Sequence, residues 1–134
     1  MRQDWEQAIR RDDVSTLARL LDEGADIDAR DAHGQTGVML AVASAATRTA
    51  AFLVERGAAL DHTAKYHLSA LMLAVLRDQP AIVRMLVTAG ADVSIRGSGA
   101  PGFQEKTALD LAEAAGRPEI AAILREASDR RKPQ

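Results

Sequence analysis

Residues 69–96, SALMLAVLRDQPAIVRMLVTAGADVSIR, contain the pattern that is repeated through the rest of the chain. Ser69 precedes one apolar run, Pro80 begins a second, and the tripeptide Gly-Ala-Asp follows at 90–92. Apolar residues three and four positions apart indicate amphipathic helices. Proline is tolerated in the first turn of a helix, and glycine commonly ends one. The stretch therefore predicts two short helices followed by an exit loop.

The same pattern recurs at a constant spacing. Gly57 and Gly90 are separated by the same interval as Thr36 and Ser69. This period of about 33 residues is one of the lengths that indicate a solenoid. Thr107 comes five positions later than the period predicts from Ser69, which indicates an insertion before the fourth occurrence. We therefore expect about four copies of one supersecondary unit, stacked on one another.

The units resemble the ankyrin repeat, which opens with D-x-x-G-x-T-P-L-H-x-A and closes with V-x-x-L-L before G-A-D. Residues 31–41, DAHGQTGVMLA, match the opening, and 82–86, IVRML, match the close. Residues 107–112, TALDLA, resemble a terminal repeat. The similarity covers about residues 4–127. It implies an all-α ankyrin-repeat solenoid of about four helix-turn-helix units with projecting loops.

This resemblance divides the chain into one domain and a short tail. The domain spans 1–127, with units at about 1–30, 31–63, 64–96 and 97–127. The remaining residues, 128–134, form a charged tail that we expect to be disordered. Trp5 occupies the position of the motif leucine, so we interpret it as a core residue; the alternative is an aromatic residue for binding.

Some positions depart from the family motif. The family glycine between the two helices of a unit is replaced by Asp12, Ala45 and Asp78. Asp tolerates a left-handed backbone better than Ala does, so Ala45 is expected to be the most strained of these turns. His67 stands where Gly34 stands one unit earlier, and histidine is tolerated at positive φ.

Composition narrows the possible functions. Aromatic residues make up only 3%, against 47% hydrophobic residues, so the core must be mainly aliphatic. The net charge of −2 argues against a general surface for nucleic acid or anionic membrane. The absence of cysteine excludes disulfides, thiolate metal sites and cysteine nucleophiles. Residues 1–13 are charged throughout and lack a signal-peptide pattern, so we expect a cytoplasmic location. The excess of arginine over lysine favours a bacterial source.

The resemblance implies that a partner is bound on the concave side, by loop tips and exposed ends of inner helices. The positions carried over from the family are Arg10, Arg11, Ala32, His33, Gln35, Ser44, Lys65, Tyr66, Leu68, Leu76, Arg77, Phe103, Gln104 and Glu105. The inserted segment, 97–105, is rich in Gly and Ser and is predicted to extend the loop side. Tyr66 and Phe103 are candidate anchors because tyrosine is enriched in interface hot spots. Alternatively, both rings fold back on the loops.

The sequence thus predicts a non-catalytic adaptor or inhibitor that binds another protein as a monomer, without cofactor, nucleic acid or membrane. Two alternatives stay open. One is a metal- or histidine-dependent enzyme built on the loops from His33, His62 and His67. The other is nucleic-acid binding through basic concave residues, namely Arg10, Arg11, Lys65 and Arg77.

Overall fold

The computed structural model of the chain describes residues 1–131. Within that range it contains eight α-helices and one short 3-10 turn, Lys65–His67. The helices are α1 (Gln3–Arg10), α2 (Val14–Asp22), α3 (Gly37–Ala43), α4 (Thr47–Glu55), α5 (Ala70–Leu76), α6 (Pro80–Thr88), α7 (Ala108–Ala114) and α8 (Pro118–Arg131). The predicted all-α architecture of four helix pairs is confirmed.

The helices form two rows. Within each pair the first helix packs against the second, as α3 does against α4. Between pairs, α1, α3, α5 and α7 contact one another in order as an inner row. The outer row, α2, α4, α6 and α8, is built in the same way. We call the side formed by the inner row and the preceding loop tips the concave face.

The core between the rows is aliphatic, as the composition predicted. Leu53 and Leu86 are fully buried in the outer row, and Ala41 and Ala74 are fully buried in the inner row. Small alanine side chains allow the short helices to approach closely. Trp5 is only 1% exposed, which confirms its interpretation as a core residue of the first unit.

Each inner helix from the second unit onward begins at a hydroxyl cap. The side chains of Thr36, Ser69 and Thr107 each accept a hydrogen bond from the backbone N–H three residues later. This bond satisfies one of the donors that the first helical turn leaves free. The caps fix where each inner helix starts, and therefore where the preceding loop tip projects.

The turns inside the units have the left-handed backbone that the sequence predicted. The φ angles of Asp12, Ala45 and Asp78 are 56°, 55° and 54°. The two aspartates also bond to the next unit: the Asp12 carboxylate accepts from the Thr49 N–H at 2.7 Å, and Asp78 pairs with Arg117 at 3.2 Å. Ala45 has no side-chain group to make such a bond. Its turn therefore has the strained left-handed backbone without a stabilising bond to the next unit.

The exit loops are also tied from unit to unit. The carboxylate of Asp28 accepts from the Ala59 N–H at 2.8 Å, and that of Asp61 accepts from the Asp92 N–H at 2.8 Å. The two acceptors occupy the same position of successive units, one repeat period apart in the sequence. These bonds hold the projecting loops in register with the helices beneath them.

The prediction of a disordered tail from residue 128 is wrong for its first four residues. Residues 128–131, which we expected to be disordered, continue α8, a helix of 14 residues where the other outer helices have nine. Ala127 is buried, so apolar contact with the stack supports the helix up to this point. The remainder of the predicted tail, 132–134, lies outside the described residues.

Candidate partner-binding surface

The inserted loop is closed at its base by its own backbone. The Gly97 N–H donates to the Lys106 carbonyl at 2.9 Å, and the Glu105 N–H donates to the Gly97 carbonyl at 3.0 Å. A guanidinium nitrogen of Arg96 also donates to the Glu105 carbonyl at 2.7 Å. Gly97 is buried, and an added Cβ there would lie 2.5 Å from the Phe103 carbonyl oxygen. Only glycine therefore fits where the backbone at position 97 crosses the backbone at Phe103.

The outer part of the same loop is also hydrogen-bonded. The N–H groups of Phe103 and Gln104 both donate to the Ala100 carbonyl, at 2.9 and 2.8 Å. The Gln104 side-chain oxygen accepts from the Gly99 N–H at 3.0 Å. These bonds join residues 99 to 104 within the loop and satisfy backbone groups that would otherwise need other partners.

The inserted loop is attached to the tip of the third unit. The Ser98 N–H donates to the Tyr66 carbonyl at 2.8 Å. The rings of Tyr66 and Phe103 lie with their centroids 5.3 Å apart and their planes tilted by 41°, a favourable aromatic geometry. Gly99, with φ of +80°, brings the loop backbone against the Tyr66 ring. We call residues 64–69 and 97–106 together the aromatic tip.

The backbone of the third tip is unusual. Tyr66 and His67 both have positive φ angles, 60° and 58°. The value for His67 confirms the prediction from its alignment with Gly34, whereas the value for Tyr66 was not expected. Bulky side chains rarely adopt this conformation, and each such residue costs about 1–3 kcal/mol. The His67 ring nitrogen Nδ1 lies 2.8 Å from the Arg96 carbonyl oxygen, which helps to hold the strained backbone.

Part of the aromatic pair stays open to solvent. Tyr66 and Phe103 are each partly buried. Leu76 on α5 is 39% exposed and is the one large hydrophobic side chain that is exposed among the described residues. The Lys65 ammonium lies 5.0 Å from the Tyr66 ring centroid, a cation–π contact. The rings pack on each other and on the loop while still presenting surface, and their contact with a partner stays a prediction.

The predicted surface positions fall into three groups. Exposed residues are Arg10, Arg11, Ala32, His33, Lys65, Leu76, Arg77, Gln104 and Glu105. Partly buried residues are Gln35, Ser44, Tyr66 and Phe103. The third group is Leu68 alone, which is buried. The structure brings Lys65, Tyr66 and Phe103 into direct contact, whereas His33 and Gln35 belong to the separate tip of the second unit.

The prediction that Leu68 contacts a partner is wrong, because Leu68 is only 6% exposed. It directly precedes the cap residue Ser69, with an extended backbone at φ −87° and ψ 132°. A hydrophobic residue at this position commonly packs back onto the first helical turn. The core therefore takes its side chain, and Leu68 supports the tip from beneath.

The three histidines do not form a catalytic or metal-binding group. His62 bonds to the Arg30 guanidinium, His67 to the Arg96 carbonyl, and His33 is exposed on another tip. Across residues 1–131, no group of three or more His, Asp or Glu side chains is placed to hold a metal ion. The geometry gives no support to the enzyme alternative.

The basic residues of the concave face differ in their pairing. Arg10 pairs with Glu6 at 3.0 Å. In the part of the chain that the structure describes, Arg11, Lys65 and Arg77 have no carboxylate within ion-pair distance. The central cations are therefore available for interactions with a bound molecule.

One acidic residue lies beside the base of the inserted loop. The backbone N–H of Thr107 bonds to the Asp110 carboxylate and holds its pKa below the ordinary value; the Thr107 hydroxyl, Lys106 and Arg96 lower it further. Asp110 thus remains charged near the base of the loop, although neither Lys106 nor Arg96 has a carboxylate within ion-pair distance among the described residues.

Comparison with known families identifies the fold. A family model of ankyrin repeats, in three copies, matches residues 5–97. The chain therefore belongs to the ankyrin repeat family, whose repeats generally mediate protein–protein interaction and are typically non-catalytic. The match runs from within α1 through α6 and ends where the inserted loop begins, while α7 and α8 continue the same packing beyond it. Among curated proteins, none matches the sequence.

Among residues 1–131, no helix is long and apolar enough to span a bilayer.

Sequence reasoning missed two features that build the surface. The first is the bond from Ser98 to Tyr66, which no sequence periodicity predicts because the insertion occurs once. The second is the pair of carboxylates at Asp28 and Asp61 that secures the exit loops. Their recurrence at the repeat period was the available signal.

Proposed function

We propose that this protein is a non-catalytic adaptor or inhibitor that binds another protein through its concave face, centred on the aromatic tip. The observation that supports the proposal is the ordered junction of the third tip and the inserted loop, with Tyr66 packed on Phe103 at 5.3 Å. A surface that is already ordered loses little conformational entropy on binding. Aromatic residues in such positions are enriched in hot spots.

The proposed surface extends from the tip along α5. Leu76 adds an exposed apolar side chain, and Arg77 follows it at the C-terminal end of the helix. Ser44 occupies the equivalent position of the second unit and Arg11 that of the first. These residues give the face an apolar centre with polar positions around it, the common arrangement in protein interfaces.

The ends of the stack support the proposal of a monomer. Exposed residues on α1 include Gln3, Asp4 and Gln7, and those on α8 include Glu119 and Arg125. Polar outer faces on terminal units prevent further stacking of repeats. Sedimentation velocity at micromolar concentration tests this, and a dimer would contradict it. A cytoplasmic location in a bacterium, without nucleic-acid or membrane binding, completes the proposal.

The test is affinity capture from native cells with two baits in parallel. One bait is the wild-type protein, and the other carries Tyr66→Ala and Phe103→Ala. We expect mass spectrometry to find a protein that the wild type retains and the double variant loses. Arg84→Ala serves as the control because Arg84 is exposed on the outer helix α6. A partner that both baits retain equally would contradict the proposed surface, provided that circular dichroism shows both to be folded.

A further inference from the structure

The charge of the third unit differs from that of its neighbour. Residues 64–77, which form the third tip, α5 and its cap, contain Lys65 and Arg77 but no acidic residue. The equivalent segment of the second unit, 31–44, contains Asp31 and neither lysine nor arginine. The third unit therefore carries two cations and no acidic residue in this segment, whereas the equivalent segment of the second unit carries no cation.

The two cations lie at opposite ends of one helix. Lys65 belongs to the loop before α5, and Arg77 is the C-terminal cap residue of α5. A helix of seven residues is about 10 Å long at 1.5 Å per residue. Tyr66 and Leu76, both at least partly exposed, lie within this segment. Apolar surface is thus flanked by positive charge at each end.

Neither cation is neutralised within the described part of the chain, where no carboxylate approaches either of them within ion-pair distance. Glu105 is the exposed acid of the aromatic tip, and Asp110 lies near Lys106 and Arg96. These two acids accompany the inserted loop and α7, so the face along α5 keeps its positive character. Complementary charge on a partner would steer association and fix its register.

We infer that the partner presents a short peptide segment in which an apolar side chain lies between two carboxylates. The apolar residue packs on Tyr66 and Leu76, and the carboxylates approach Lys65 and Arg77. This inference rests on the proposed function and specifies the chemistry of the partner.

Nucleic acid would satisfy the same cations, since phosphates are anionic and bases stack on aromatic rings. A protein segment is favoured because the chain has a net charge of −2 and because Leu76, next to Arg77 in the sequence, is an exposed apolar side chain. A poly-dT oligonucleotide therefore serves as the competing probe.

The experiment is a selection from a random peptide library displayed on phage, against the immobilised full chain. The enriched peptides are synthesised, and their Kd values are measured by fluorescence anisotropy. We expect an apolar residue flanked by Asp or Glu, and an affinity about tenfold weaker for Lys65→Glu and for Arg77→Glu. Arg77→Gln, a milder change at the cap position, should show a smaller loss in the same direction.

Arg84→Glu is the matched control, because it reverses an exposed charge in the same unit on the outer helix α6. Its affinity for the selected peptides should equal that of the wild type. Higher salt should weaken the wild-type complex more than the complex of the Arg77→Gln variant.

The outcomes that contradict the inference distinguish a failure of the charge inference from a failure of the proposed function. Neutral or basic peptides whose binding depends on Tyr66 and Leu76 would overturn the charge inference but leave protein binding at this face intact. Peptides whose affinity ignores every concave substitution would overturn both. An absence of enriched peptides would overturn the inference, and salt-sensitive binding of poly-dT at the same residues would replace protein by nucleic acid as the ligand.

Discussion

The second and third units have the same helices but stabilise their loop tips differently. In the second unit the Asp31 carboxylate accepts from the N–H groups of His33 and Gln35 at 2.8 and 2.9 Å, and Gly34 supplies the positive φ. The tip is therefore closed by its own residues. In the third unit Ala64 replaces that aspartate.

The third tip keeps the equivalent backbone bonds, from the Ala64 N–H to the Leu68 carbonyl at 3.1 Å and from the His67 N–H to the Ala64 carbonyl at 3.0 Å, and a neighbouring loop takes the place of the missing carboxylate. Tyr66 receives a hydrogen bond from Ser98 and packs on Phe103, both of which belong to the inserted segment. Two residues with positive φ, one of them aromatic, are held in this way. The difference shows how an insertion between repeats changes a local turn into a surface built from two loops.

The helices beneath the third tip should show the largest mutational effect. Leu71 on α5 and Leu86 on α6 are buried to 1% and 0% exposure. Leu71→Ala and Leu86→Ala should each cost about 2–5 kcal/mol through lost burial and a residual cavity. Leu76→Ala removes the same atoms from an exposed position and should change stability by less than about 0.5 kcal/mol. Chemical denaturation followed by circular dichroism measures all three, and equal effects would contradict the assigned packing.

The inserted loop offers a sharper test of the third tip. A Cβ on Gly97 would lie 2.5 Å from the Phe103 carbonyl, whereas one on Gly102 would meet nothing within 4 Å. Gly97→Ala should therefore cost about 1–3 kcal/mol by overpacking, and Gly102→Ala should cost little. Amide exchange by NMR should show faster exchange at Ser98 only in the first variant. A stable Gly97→Ala protein with normal Ser98 protection would show that the loop does not cross as described.

The turn between α3 and α4 distinguishes the second unit, and relieving its strain should change the free energy of unfolding by a smaller amount. Ala45 has φ of 55° and lacks the carboxylate that Asp12 and Asp78 provide at the equivalent positions. Ala45→Gly should stabilise the protein by about 1 kcal/mol by relieving backbone strain. Asp78→Gly, at the same turn of the third unit, should give no such gain, because it also removes the ion pair with Arg117. Equilibrium unfolding decides this, and a destabilised Ala45→Gly variant would refute the strain.

Features that depend on local pattern were predictable from the sequence. The caps at Thr36, Ser69 and Thr107 follow from hydroxyl residues placed just before apolar runs. The positive φ angles of Ala45 and His67 follow from their alignment with turn glycines. In each case the signal lies within a few residues of the feature.

Features that depend on distant contacts were not predictable. Leu68 is an exception, because its place directly before the cap residue Ser69 was a local signal that its side chain turns inward. Residues 128–131 are charged or polar, yet they extend a helix whose earlier turns pack on the stack. The inserted loop occurs once, so no repeat could indicate that Ser98 bonds to Tyr66. The 5.3 Å separation of the Tyr66 and Phe103 rings likewise depends on the path of this loop.

The central claim is that the aromatic tip, and not the tip of the second unit, provides the main binding contacts. The most direct measurement is titration calorimetry of the captured partner against variants of each tip, with melting curves in parallel. Tyr66→Ala and Phe103→Ala should each weaken binding by about 1–3 kcal/mol, while His33→Ala should change it by less than about 0.5 kcal/mol. Unchanged affinity in the Tyr66→Ala/Phe103→Ala double variant, or a larger loss for His33→Ala, would contradict the claim.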